Sequence, residues 1–107
     1  MEKFACDWNV LVKEGKIRTE IDGKPYLVVV KDGKPYALSD VCPHMGGSLS
    51  EGAYADGKIT CPRHKARFDV VTGEVEGRAK ILFVKLPTAK AKTVPARVAD
   101  GRVLIDL

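Results

Sequence analysis

No stretch of this 107-residue sequence approaches the length of a membrane span. The opening residues, MEKFACDWNVLVKEGK, lack the apolar run of a secretory signal and are interrupted by charges, so the chain is expected in the cytoplasm, without membrane contact. Cysteines number three, an odd set that argues against a secreted disulfide framework. Aromatic residues make up 7% and barely accompany the basic ones, which disfavours nucleic-acid binding. Helical signals are scarce as well. Only VLVKEG, at 10–15, offers as much as one turn.

What is present is a strand pattern punctuated by turns. Hydrophobic residues at 45% and charged residues at 30% describe one ordinary folded domain over residues 1–107. Asp-Gly pairs begin at Asp22, Asp32, Asp56 and Asp100, and the pentapeptide DGKPY occurs at 22–26 and again at 32–36. Such pairs suit tight hairpin turns, because glycine takes positive φ without a Cβ clash. KIRTEI (16–21) alternates, with Ile17, Thr19 and Ile21 on one face and Lys16, Arg18 and Glu20 on the other. YLVVVK (26–31) reads as a central strand covered on both faces, and VPARVA and RVLIDL flank Asp100-Gly101 as a terminal hairpin. The fold class is therefore all-β, a sandwich or partial barrel of short antiparallel strands. Residues 40–77, rich in glycine and proline, break this rhythm and read as a loop-rich subdomain set into the β framework. Cys6 falls on the first strand and reads as a small buried hydrophobe.

The net charge of +4 is unevenly placed. Residues 76–107 hold 7 basic and 3 acidic residues, and Arg78 to Arg97 contains six basic residues and no acidic one. This stretch suits an acidic partner surface, or else a strand edge kept soluble by lysine.

Within 40–77 lie CPHMGG, beginning at Cys42, and CPRHKARFD, beginning at Cys61. Cys42 and His44 are two apart, so on an extended segment both leave the same face. Cys61 and His64 are three apart, a spacing that a tight turn brings together. A Cys2His2 set suits tetrahedral zinc, but zinc modules usually pair Cys with Cys and His with His at short range. The mixed order here suits a centre with two metals of different ligation.

The stretch CPHMGGSLSEGAYADGKITCPRH resembles the Rieske two-iron, two-sulfur proteins, whose pattern is Cys-x-His, about 15 to 17 residues, then Cys-x-x-His. Sixteen residues separate His44 from Cys61 here. The flanks GGSLSEG and ARFDVVTGEV are similar to those of the soluble Rieske ferredoxins, and the resemblance covers most of the chain. It implies the Rieske fold, with the subdomain at about 40–77 holding one 2Fe-2S cluster. It implies Cys42 and Cys61 on the buried iron, and His44 and His64 on the outer iron through Nδ1. It also implies a one-electron carrier rather than an enzyme, working between a reductase and a terminal oxygenase. The partner's acidic surface would dock near His44 and His64. An accessory redox subunit, such as a nitrite reductase small subunit, is the alternative within the family. A structural zinc module is the alternative outside it.

Departures from other branches sharpen this expectation. Met45, Gly46, Gly47, Arg63 and Lys65 leave no cysteine for the disulfide that spans the cluster in the membrane cytochrome complexes. Ala66 and Phe68 stand where those proteins carry hydroxyl donors, so a low potential is expected. The sequence has only two histidines, both assigned, which leaves none for the mononuclear iron of an oxygenase. Arg63, Lys65 and Arg67 surround the second loop with unusual positive charge. The segment that includes KILFVKLP is longer than usual and reads as an extended strand or hairpin.

Overall fold

Four Asp-Gly turns set the geometry of the chain. In the computed structural model, Asp22, Asp32, Asp56 and Asp100 have φ of 53°, 51°, 52° and 52°, and the following glycines 78°, 74°, 76° and 75°. Two successive residues in the left-handed region form a type I′ turn, whose twist matches the strands it joins. The turns connect β2 (Lys16–Ile21) to β3 (Lys24–Lys31), β3 to β4 (Lys34–Ser39), β5 (Ala53–Ala55) to β6 (Lys58–Thr60), and β12 (Ala96–Ala99) to β13 (Arg102–Asp106). The structure describes residues 1–41, 47–62, 66–77, 80–81, 84–85 and 90–107, with backbone alone at 76–77, 80–81 and 84–85.

The first two hairpins form the central sheet. Thr93–Val94 (β11) joins β4 at one edge, giving the order β11-β4-β3-β2. Along β3, Leu27, Val28 and Val29 are all fully buried, but they enter two different cores, as strand alternation requires. Val28 packs with Ala5, Cys6, Leu11, Val103 and Ile105, beneath a sheet of order β1-β13-β12 in which β1 is Glu2–Asp7. Leu27 and Val29 pack with Leu49, Ile59, Cys61, Phe68 and Val70 on the other side. That side is built by a second four-stranded sheet, β5-β6-β7-β8, where β7 is Arg67–Asp69 and β8 is Val75–Gly77. Burying a side chain of this size contributes about 1.5–3 kcal/mol, so β3 is the strand on which both cores depend.

Two differences from the sequence reading have local causes. The helix is longer than one turn: α1 runs Trp8–Glu14, starting two residues earlier than the VLVKEG segment. Leu11 is its buried anchor, the Trp8 N–H donates to the Gly101 carbonyl at 2.9 Å, and Gly15, at φ 84°, ends it by donating to the Leu11 carbonyl at 2.7 Å. Within the loop-rich stretch, β5 to β8 are each three residues long. Alternation over three residues is too short to stand out in a sequence. Further on, Lys80–Ile81 (β9) pairs antiparallel with Val84–Lys85 (β10), a hairpin within the lengthened segment. Cys6 is buried on β1, and burial raises the pKa of its thiol, as befits a core residue.

Candidate metal centre

Each Cys/His loop leaves and re-enters the framework through a backbone clasp. For the first, Val41 and Ser48 form an antiparallel bridge across 42–47, and the Leu49 N–H donates to the Asp40 carbonyl at 2.8 Å. For the second, the Cys61 N–H donates to the Ala66 carbonyl at 2.7 Å, with Thr60 and Arg67 paired directly below. The bases of the two loops meet at one glycine. A Cβ on Gly52 would lie 1.7 Å from the Thr60 carbonyl oxygen, so only glycine lets the exit of the first loop rest on the residue before Cys61.

Of the four sequence-predicted ligands, Cys61 falls among the described residues. It is 1% exposed and packs in the core that includes Leu49, Ala66 and Phe68. Cys42, His44 and His64 lie outside the described residues, as do Arg63 and Lys65. Ala66 and Phe68 are buried at 2% and 0% exposure, so the side chains packed around Cys61 at these positions bring no hydroxyl. The donor chemistry fits an iron–sulfur cluster: a soft sulfur donor in an apolar surround, on a loop that also carries an imidazole. Among the described residues no group of three or more His, Cys, Asp and Glu gathers as a separate metal site.

The carboxylate of Asp40 is a buried feature beside the first loop that sequence reasoning did not single out. It is 1% exposed, and its oxygens accept from Ser48 Oγ at 2.5 Å, Ser50 N at 2.6 Å, Ser50 Oγ at 3.0 Å and Arg18 Nε at 3.1 Å. Burying a carboxylate is costly unless such partners surround it. Nearby, Lys16 Nζ donates to the Ser50 and Gly52 carbonyls, both at 2.6 Å. Lys16 and Arg18, which alternation sets together on one face of β2, thus reach the return of the first loop. The signals in the sequence were an acid two residues before a candidate ligand and two serines, 48 and 50, at same-face spacing.

The second sheet is fastened on its far side as well. Tyr54 Oη donates to the Val30 carbonyl at 2.9 Å. Lys58 Nζ donates to Asp69 at 2.7 Å, and the N–H groups of Val71 and Thr72 donate to the same carboxylate at 2.7 and 3.2 Å. The Lys58 bond, helped by those two amides, holds the Asp69 carboxyl below the usual range against the opposing effect of burial. Of the basic run, Arg97 is turned to the terminal sheet, where its guanidinium grips both carboxylate oxygens of Glu2. Lys90 and Lys92 are exposed. No helix of the described residues is long and apolar enough to cross a membrane.

Comparison with known proteins gives this arrangement its setting. The family model described as "Rieske [2Fe-2S] domain" matches residues 4–85. The ferredoxin component of the naphthalene 1,2-dioxygenase system of Pseudomonas putida is 34% identical over 87 residues, which span 81% of this chain and 77% of that protein. The ferredoxin of carbazole 1,9a-dioxygenase from Nocardioides aromaticivorans IC177 shares the fold, with a TM-score of 0.81 at 24% identity over 98% of this chain and 96% of that one. A chain from the complex of reduced oxygenase and oxidized ferredoxin in carbazole 1,9a-dioxygenase superposes with a TM-score of 0.80 at 27% identity, covering 97% of this chain and 91% of its own.

Proposed function

The chain belongs to the Rieske [2Fe-2S] domain family, and on that premise we propose that it passes single electrons from a reductase to a terminal oxygenase. It is a one-electron carrier with a Rieske 2Fe-2S cluster, not an enzyme in its own right. In this reading Cys42 and Cys61 hold one iron and His44 and His64 the other, within a cluster-binding subdomain at about 40–77. The observation that carries it is the packing of Gly52, past the exit of the first loop, on the Thr60 carbonyl directly before Cys61, which is itself buried.

The cluster supplies a centre that takes up and gives back one electron. Everything else falls to this chain's own side chains. Leu49, Ala66 and Phe68 keep water from Cys61, and the absence of hydroxyls at 66 and 68 supports a potential toward the low end of the Rieske range. Val41, 45% exposed, and exposed Pro62 border the two loops and offer apolar footing for a partner. Arg67, Lys90 and Lys92, exposed, with Arg63 and Lys65 in the second loop, favour an acidic partner surface. The unbridged, buried Cys6 thiol accords with a cytoplasmic setting.

Anaerobic purification followed by visible absorption, low-temperature EPR and acid-labile sulfide analysis tests the reading. A coloured protein with a reduced-state EPR signal and about two sulfides per chain is expected. A colourless protein with one zinc and no sulfide would overturn it. Stopped-flow oxidation of the reduced protein by terminal oxygenases then tests the partner class, and oxidation by none of them would remove that part.

A further inference from the structure

Asp40 joins three parts of the molecule that the family reading does not connect. Its backbone N–H donates to the Pro25 carbonyl at 3.1 Å in the central sheet, and its carbonyl receives the Leu49 N–H at the exit of the first loop. Its side chain binds Ser48 and Ser50 on that exit, and Arg18 on β2. One residue therefore fixes the entry and exit of the loop that starts at Cys42, and fixes both to the sheet. Arg18 Nε and the Ser50 N–H can only donate, and the Asp40 oxygens facing them accept.

We propose that Asp40 and Arg18 are a positioning pair whose opposed charges set the midpoint potential of the cluster held by the loop starting at Cys42. The inference rests on the family reading above. One residue, Val41, separates Asp40 from Cys42, so covalent geometry keeps their Cα atoms within about 7 Å. A charge at 1% exposure is screened little by solvent, whereas Arg18, with a side chain 46% exposed, is screened more. Reduction adds negative charge to the centre. The Asp40 carboxylate opposes that addition and Arg18 offsets the opposition, because potentials of such centres follow local charge and solvent exposure.

A plain structural staple would behave differently. Losing either partner would loosen the loop and lower the melting temperature in the same direction, with no opposed effect on the potential. The charge pair instead requires shifts of opposite sign. Asp40→Asn keeps the size of the side chain and an oxygen to receive the Ser50 N–H while removing the charge. Arg18→Gln removes the partner charge, and Arg18→Lys restores it.

EPR-monitored redox titration of the cluster-loaded wild type, D40N, R18Q, R18K and the D40N/R18Q double variant tests the proposal. D40N is expected to favour reduction by roughly tenfold, about 59 mV upward for a one-electron couple. R18Q should shift downward by less, R18K should titrate near the wild type, and the double variant should fall between the singles. Equal potentials throughout, or D40N and R18Q shifts of the same sign, would overturn the proposal while the family reading stands. If D40N assembles no cluster, the half-exposed position decides: R18Q below R18K supports the pair, and R18Q equal to R18K overturns it. A wild type without a cluster would overturn the family reading and this inference together.

Discussion

Alanine at Gly52 isolates the backbone contact between Gly52 and Thr60 from every other property of glycine. Gly52 has φ −86° and ψ 175°, a conformation open to any residue, so space alone resists the substitution. The added Cβ would stand 1.7 Å from the Thr60 oxygen and 2.8 Å from its carbonyl carbon. Ordinary contact begins at 3.4 Å, so the two backbones must part by 3.4 − 1.7, or 1.7 Å. Ala53 pairs directly with Thr60, and that separation disrupts the β5–β6 ladder at its first pair. Overpacking costs about 1–3 kcal/mol and each ladder hydrogen bond about 1 kcal/mol, which together exceed roughly 3 kcal/mol. For a domain of this size the melting temperature should fall by about 12 °C or more. Gly101→Ala is the control: its φ is +75° and nothing lies within 4 Å, so only left-handed strain of about 1 kcal/mol opposes it. Thermal melts by circular dichroism, with iron and sulfide counted on the same samples, should rank Gly52→Ala far below Gly101→Ala and find its cluster depleted. Equal melting temperatures for the two variants, with full cluster content, would refute the contact.

Asp69 gives the fold a defined acid limit. Its folded pKa is lowered, chiefly by the Lys58 bond, so its stabilisation is complete above the unfolded carboxyl value near 3.9 and is lost as pH falls from there through the folded value. Asp69→Asn should cost about 2 kcal/mol at pH 7, and the gap in melting temperature to the wild type should close below about pH 4; a gap independent of pH would contradict this. Reversing Lys85, Lys90 and Lys92 to Glu should slow electron transfer to an acidic partner about tenfold at low salt and flatten its salt dependence, as stopped-flow traces over a salt series would reveal. Replacing His64 with Cys should retain a cluster but lower its potential by roughly 200 mV, and an unchanged redox titration would remove His64 from the ligand set.

Most of the framework is legible in the sequence because its determinants are local. Asp-Gly dictates a type I′ turn by backbone geometry alone, and all four pairs adopt it. The apolar run of β3 declares a strand covered twice, since alternate residues must enter opposite cores. The helix was harder to read, because its stabilisation comes from Leu11 meeting the terminal strands and from Gly101 receiving the Trp8 N–H, partners about 90 residues away. The same limit hid Asp40. Spacing identifies Cys42, His44, Cys61 and His64 as a set, but the donors to Asp40 come from β2 and from the far side of a loop. Alternation sets Lys16 and Arg18 on one face of β2, but it registers only which face a residue occupies, not how far a long side chain reaches past the edge of its sheet. Arg97 was counted with the basic run for a similar reason, although the fold commits it to Glu2.

The lengthened segment has its own doorway. Ala91 N–H donates to the Gly73 carbonyl at 2.8 Å, and a Cβ on Gly73 would strike the Ala91 oxygen at 2.3 Å, so the chain departs and returns through one tight threshold. Immediately beyond it, the Ser39 N–H donates to the Lys92 carbonyl at 2.8 Å and the chain resumes as β11. The central sheet therefore takes the chain back directly after the threshold, at Lys92 and Thr93. Between Gly73 and Ala91 the chain lends Val75–Gly77 to the second sheet, so one threshold ties the central sheet to the sheet that covers Cys61.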